Sequence, residues 1–161
     1  MMAKHQHHLR DSKVRELSKK LGEKFRGNIR EVLGENPEIA ELEEGIRVIL
    51  ADGNPVFFKS EEKYIPTLST ANSLSLKRIT VDMGAVSHIS DGADVMGPGV
   101  VEFNDDIKKG EIIGVDDEKN HKIIAIGKSL ESGNDLKKDE GKVVKNIHYV
   151  GDKFWDLHKK I

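Results

Sequence analysis

Ser87 and His88 stand side by side, with Asp82 and Asp91 a few residues away. A serine, an imidazole and a carboxylate are the parts of an acyl-transfer triad. Triads are recognised by geometry, and neighbours on one helical turn are a poor signal for it. No Gly-x-Ser-x-Gly elbow supports the reading. Gly127-Lys128-Ser129 follows an apolar run, as the end of a phosphate loop does. That loop needs a glycine at position 122, where the chain has lysine. Asp116-Asp117-Glu118 lacks the spacing of a calcium loop and reads as a solvated turn. His5, His7 and His8 alternate near the N-terminus without an acidic or cysteine ligand beside them, and read as a terminal or edge-strand segment. Gly92, Gly97 and Gly99 do not follow the dinucleotide pattern. With no Cys in the chain, disulfides and thiolate metal sites are excluded. The expectation is a non-enzyme with no catalytic residues, no metal ligands and no cofactor.

Recognition chemistry is better represented, in the stretch from Arg78 to Asn104. An alternating run, Ile79, Val81 and Met83, turns at Gly84-Ala85. A short segment leads to Gly92-Ala93, and a second strand is entered through Gly97-Pro98-Gly99. Four glycines and a proline in this window imply tight backbone. Small residues also let another molecule's backbone approach closely.

The flanking elements must hold that stretch in place. A chain of 161 residues suits one or two small domains. Charged residues make up 34%, so the surface is heavily charged and solubility is expected. No apolar run approaches the ~18 residues of a membrane span, and a cytoplasmic protein is expected. The net charge of −2 is not that of a simple nucleic-acid binder, but its distribution is uneven. Residues 1–30 carry nine Lys/Arg against three Asp/Glu, whereas residues 78–161 carry thirteen against sixteen. Any phosphate attraction must therefore be local and mainly N-terminal.

Val14, Leu17, Leu21 and Phe25 recur at helical spacing after a cap at Asp11 or Ser12. Ile29 to Leu33 reads as a short strand or turn, and Glu38 to Glu44 as an acidic helical piece after Asn36-Pro37. Ile46–Leu50 and Pro55–Lys59 form a hairpin about Asp52-Gly53. From residue 78 onward, short strands and turn signals alternate as in a small barrel, with strands at 112–115, 121–127 and 143–150.

Three pieces carry a family resemblance. The first is Asp52-Gly53-Asn54-Pro55-Val56-Phe57-Phe58-Lys59 followed by Tyr64-Ile65-Pro66-Thr67-Leu68. The second is Val81-Asp82-Met83-Gly84-Ala85-Val86 with Gly92-Ala93-Asp94-Val95-Met96-Gly97-Pro98-Gly99-Val100. The third is Asn146-Ile147-His148-Tyr149-Val150-Gly151-Asp152-Lys153-Phe154-Trp155-Asp156-Leu157. In that order they resemble the small two-domain translation-machinery family that includes the malignant T-cell amplified protein. The passage from Val100 to Glu102-Phe103-Asn104 looks shorter than in eukaryotic members, which points to an archaeal type.

The resemblance implies an α+β fold, with a pre-PUA domain over residues 1–77 and a PUA pseudo-β-barrel over residues 78–161. It implies binding of structured RNA, either tRNA or the small ribosomal subunit, and a protein partner with an initiation-factor-like domain. The expected RNA surface is built from Gly84, Ala85, Gly92, Ala93, Gly97, Pro98 and Gly99. His88, Lys145 and His148 are expected as donors and Tyr149 as a stacking face. Gly84, Ala93 and Gly97 are equally well explained by the tight turns of a compact barrel. Met96, Ile147 and Val150 are expected in the core, and Trp155 as a lid over the barrel end. Two other functions fit the same sequence: an accessory RNA-binding module for a tRNA- or rRNA-modifying enzyme, and a protein–protein adaptor using an acidic face.

Overall fold

The computed structural model describes residues 3–160. The chain divides into two compact units. One holds the residues up to Ser75 together with those from Lys153 on, and the other spans Leu76–Asp152.

The first unit is built on an antiparallel sheet in the order β1-β2-β3-β4-β5. Its strands are β1 (Ala3–His8), β2 (Glu38–Leu42), β3 (Arg47–Ala51), β4 (Asn54–Ser60) and β5 (Lys63–Pro66). The hairpin between β3 and β4 turns on Asp52 and Gly53, whose φ angles of 50° and 79° are both positive. Asp-Gly suits such a turn because its twist matches that of the paired strands. Helix α1 (Asp11–Lys24) buries the expected stripe of Val14, Leu17 and Leu21, and Phe25 follows it into the core. The Phe25 and Phe57 rings lie 5.7 Å apart.

Two short segments differ from expectation. Ile29–Leu33 is a helical turn, α2, capped by the Asn28 side chain, which accepts from the Glu31 N–H at 3.2 Å. Glu38–Leu42 is strand β2 rather than an acidic helix. Its glutamates favour helix by propensity, but pairing with β1 and β3 buries Ala40 and Leu42, and that tertiary gain overrides propensity. A further turn of helix, α3 (Leu68–Ala71), follows β5.

The second unit holds β6 (Arg78–Val81), α4 (Met83–Ser90), β7 (Val95–Met96), β8 (Val100–Phe103), β9 (Ile112–Asp117), β10 (Ile123–Ser129) and β11 (Lys142–Tyr149). Its six-stranded sheet runs β7-β11-β10-β9-β6-β8. The outermost strands, β7 and β8, are joined by only Gly97–Gly99, a turn of 3-10 helix. Four virtual bonds from Met96 to Val100 reach at most about 15 Å. Six flat strands would place those edges roughly 24 Å apart. The sheet therefore curls until its edges meet, which makes a pseudo-barrel. Ile79, Val81, Ile113, Val115 and Val144 fill it, in one buried cluster with Ile89 of α4 and Val95 of β7.

Asp116 and Asp117 are not a solvated turn. They end β9 with 2% and 5% exposure. Asp116 accepts from the Thr80 hydroxyl at 2.5 Å and pairs with Arg78 at 3.1 Å. Asp117 folds the following turn around itself, accepting from the backbone N–H of Asn120 at 2.6 Å and of Lys119 at 3.0 Å. Those bonds, the one from Asn120 foremost, hold its carboxyl below the ordinary aspartate value.

Candidate nucleic-acid interface

Helix α4 begins where β6 ends, because Asp82 caps it. The Asp82 carboxylate accepts from the Ala85 N–H at 2.8 Å, and its own backbone N–H donates to the Gly99 carbonyl at 2.9 Å. One residue thus ties the start of α4 to the Gly97-Pro98-Gly99 bend. Gly84 and Ala85 lie in the first turn of that helix, not in a turn between strands. A groove of about 710 Å³ opens between helix and bend. Gly84, Ala85, His88, Gly92, Ala93, Pro98 and Gly99 all line it. Most of the expected surface is therefore brought together.

The small residues are small for different reasons. A Cβ on Gly84 would meet only the Asp82 carboxylate, at 3.4 Å, and the residue is exposed. Ala93 is also exposed. Space at these two positions is not demanded by packing. Gly97 differs: it is buried, and a Cβ there would collide with the carbonyl oxygens of Lys137 and Glu140. Gly97 therefore fastens the bend to the 137–141 loop and does not line the groove; its N–H donates to the Gly141 carbonyl at 2.7 Å. Gly92 has φ 96° and would place a Cβ 3.0 Å from the Tyr149 hydroxyl, so a side chain there is strained. A Cβ on Gly99 would stand 3.0 Å from that of Ala85, which sets how closely bend and helix approach.

The expected donors separate. His88 is exposed on the groove wall. Lys145 is exposed on β11 and is not among the residues lining the groove. His148 is fully buried, with its Nδ1 3.0 Å from Asp152, and presents no donor to solvent. Tyr149 is half-buried against the barrel core and under Gly92, so its ring supports the groove and is not an open stacking face.

Lys142 and Asp94 were not anticipated, and both line the groove. Asp94 accepts from the Asn146 N–H at 2.9 Å and pairs with Lys142 at 3.4 Å. The Asn146 amide donates to the Ile89 and Ala93 carbonyls, both at 3.1 Å. This set locks the end of α4 to β11. Polar residues in a loop and a closing strand carry no sequence signal for such pairing.

Apolar residues are also misplaced by pattern alone. Met96 lines the groove at 46% exposure, and Val150 is 45% exposed, so neither belongs to the core. Trp155, expected as a lid over the barrel end, belongs to the first unit and is 43% exposed. Its neighbour Phe154 stacks on Phe58 with centroids 4.0 Å apart.

Among the described residues no group of three or more His, Asp or Glu is placed to hold a metal ion.

A six-stranded pseudo-barrel whose first helix and Gly-Pro-Gly bend frame a groove defines a PUA domain. The PUA domain family matches residues 77–150, and the Pre-PUA-like domain family matches residues 2–74. Uncharacterized protein MJ1432 of Methanocaldococcus jannaschii is 40% identical over 149 residues, spanning 89% of this chain and 91% of that protein. Translation machinery-associated protein 20 of Saccharomyces cerevisiae is 26% identical over 129 residues, or 74% of this chain and 71% of that one. The crystal structure of hypothetical protein PH0734.1 from Pyrococcus horikoshii superposes with a TM-score of 0.81 at 32% identity, covering 96% and 99% of the two chains. The chain belongs to the family of pre-PUA plus PUA proteins that includes translation machinery-associated protein 20 and malignant T-cell-amplified sequence 1.

Proposed function

We propose that this protein binds structured RNA through the groove between α4 and the Gly97–Gly99 bend, as a non-catalytic component of the translation apparatus in the cytoplasm. The carrying observation is the groove itself. Gly84 and Ala93 leave room that packing does not require, beside the exposed His88 and Lys142. Small residues let a sugar-phosphate chain approach the backbone, and the His88 imidazole supplies a polar contact to base edges or sugar. The exposed Met96 adds an apolar surface against which an unstacked base can lie. Relatives named for the translation machinery support a tRNA or the small ribosomal subunit as the RNA. A partner with an initiation-factor-like domain fits the same reading.

The test is binding of the purified protein to labelled tRNA and to small ribosomal subunits, each at low and moderate salt. Saturable, salt-sensitive binding to subunits above that to tRNA is expected. Preference for free tRNA would favour an accessory role beside a modifying enzyme. Binding to neither would leave a protein partner, met through the acidic second unit, as the better account.

A further inference from the structure

The groove of the second unit is poorly equipped to attract phosphate. Asp82 and Asp94 line it against the single ammonium of Lys142, and Asp94 already holds that ammonium. A positively charged surface must be found elsewhere if RNA is bound with ordinary affinity, because phosphate neutralisation supplies most of the non-specific free energy.

The first unit has such a surface. A cleft of about 490 Å³ runs along the flank of α1 over the sheet. Arg10, Lys13 and Lys20 from the α1 side and Arg47 from β3 supply its cations. Glu16 and Glu41 are its carboxylates, so the cations are in excess. Lys13 and Lys20 are two helical turns apart, about 10 Å along the axis. The charge is therefore a row and not a point, which suits a polyanion. Lys13 pairs loosely with Glu16 at 3.5 Å. Among the described residues Arg10 and Arg47 have no carboxylate partner. Lys20 is steered over the Tyr64 ring at 5.5 Å, held by cation–π attraction with its charge still unneutralised. The imidazoles of His5 and His7 line the same cleft and are exposed.

We propose that this cleft binds the phosphodiester backbone of RNA, as a second RNA contact on a different unit from the groove. The inference rests on the RNA-binding reading above. It assigns the two surfaces different work: the cleft contributes sequence-independent affinity, and the groove contributes selectivity.

The experiment compares the full-length protein with three variants, by equilibrium binding to a tRNA transcript and to oligouridine across a salt series. The cleft variant is Arg10→Gln/Lys13→Gln/Lys20→Gln/Arg47→Gln. The control removes equal charge from exposed lysines of the second unit, Lys108→Gln/Lys109→Gln/Lys119→Gln/Lys122→Gln. The third is the groove variant Gly84→Trp. Thermal unfolding verifies each fold, and amide shift mapping of the parent with oligouridine gives a readout free of substitution. In the cleft variant, affinity for both RNAs should fall by about tenfold or more, and the slope of log K against log salt should flatten by about 0.7 for each lost single-strand phosphate contact. Amide shifts should appear at residues 5–20 and 47. The control should lose much less. A cleft variant that binds as the parent does, while the groove variant fails, overturns the cleft and leaves the groove. Loss in the cleft variant alone overturns the groove and leaves the cleft. Equal losses in cleft variant and control reduce the effect to net charge and overturn the cleft. No RNA binding by the parent overturns both. Polyglutamate binding that depends on the cleft, without RNA binding, assigns the cleft to an acidic protein segment and overturns it as an RNA site.

Discussion

Asp82 reaches two elements at once: its carboxylate takes the Ala85 N–H at 2.8 Å, and its backbone N–H gives to the Gly99 carbonyl at 2.9 Å. The first bond is lost on truncation and the second is not. Asp82→Ala should therefore lower stability by about 1 kcal/mol, the usual cost of an N-cap. Chemical denaturation measures that loss. RNA affinity should fall beyond it, because the first turn of α4 forms one wall of the groove.

Gly84 separates a packing role from a recognition role. Its missing side chain faces open space except for Asp82 at 3.4 Å. Gly84→Trp should keep the thermal midpoint close to that of the parent and weaken RNA binding by about tenfold, the equivalent of roughly 1.4 kcal/mol. Normal binding by a folded Gly84→Trp protein would place the RNA elsewhere.

Gly97 should behave in the opposite way. Any Cβ there meets the carbonyls of Lys137 and Glu140. Gly97→Ala should cost about 1–3 kcal/mol, in the range of an overpacked interior. Amide exchange should quicken at Gly97 and around Gly141, whose hydrogen bond would be broken.

The Asp117 carboxyl predicts a pH signature. Its folded value is lowered below 3.8, chiefly by the Asn120 N–H. A depressed carboxyl stabilises the fold fully above the unfolded value, and the contribution is lost as pH falls through the folded one. Asp117→Asn should lower the thermal midpoint at neutral pH. The gap from the parent should close below about pH 4 as the parent's carboxyl protonates. A gap that persists at pH 2 would show that the amide fails for geometric reasons and not for want of charge.

Features written in local chemistry were legible in the sequence. The Asp52-Gly53 hairpin, the apolar stripe of α1 and the glycine-proline bend each depend on a few adjacent residues, and each forms as expected. So does the gathering of Gly84, Ala85, Ala93 and Gly99 about one groove, which followed from family resemblance. What resisted was set by partners distant in sequence. Strand β2 lies between β3 and β1, and β1 is supplied from the far side of α1 and α2, which no short window around Glu38 contains. Asp116 looks like a surface acid until Thr80 and Arg78 are placed beside it. His148 has the chemistry of a surface donor, and only its complete burial in the fold shows that it is none. Trp155 carries the bulk of a core residue, yet it is 43% exposed.

The two edges of the barrel sheet, joined by three residues, also impose an order of events during synthesis. Strand β7 has its sheet partner in β11, the last strand of the chain, and β6 pairs with β8 and β9. As the polypeptide leaves the ribosome, β6, β8 and β9 can associate early, whereas Val95 and Met96 wait for Val144 and Lys142. The groove beside them cannot take its final shape before then. A protein read as a servant of translation would thus acquire its recognition surface only after β11, well downstream of the groove's own residues, has itself been translated.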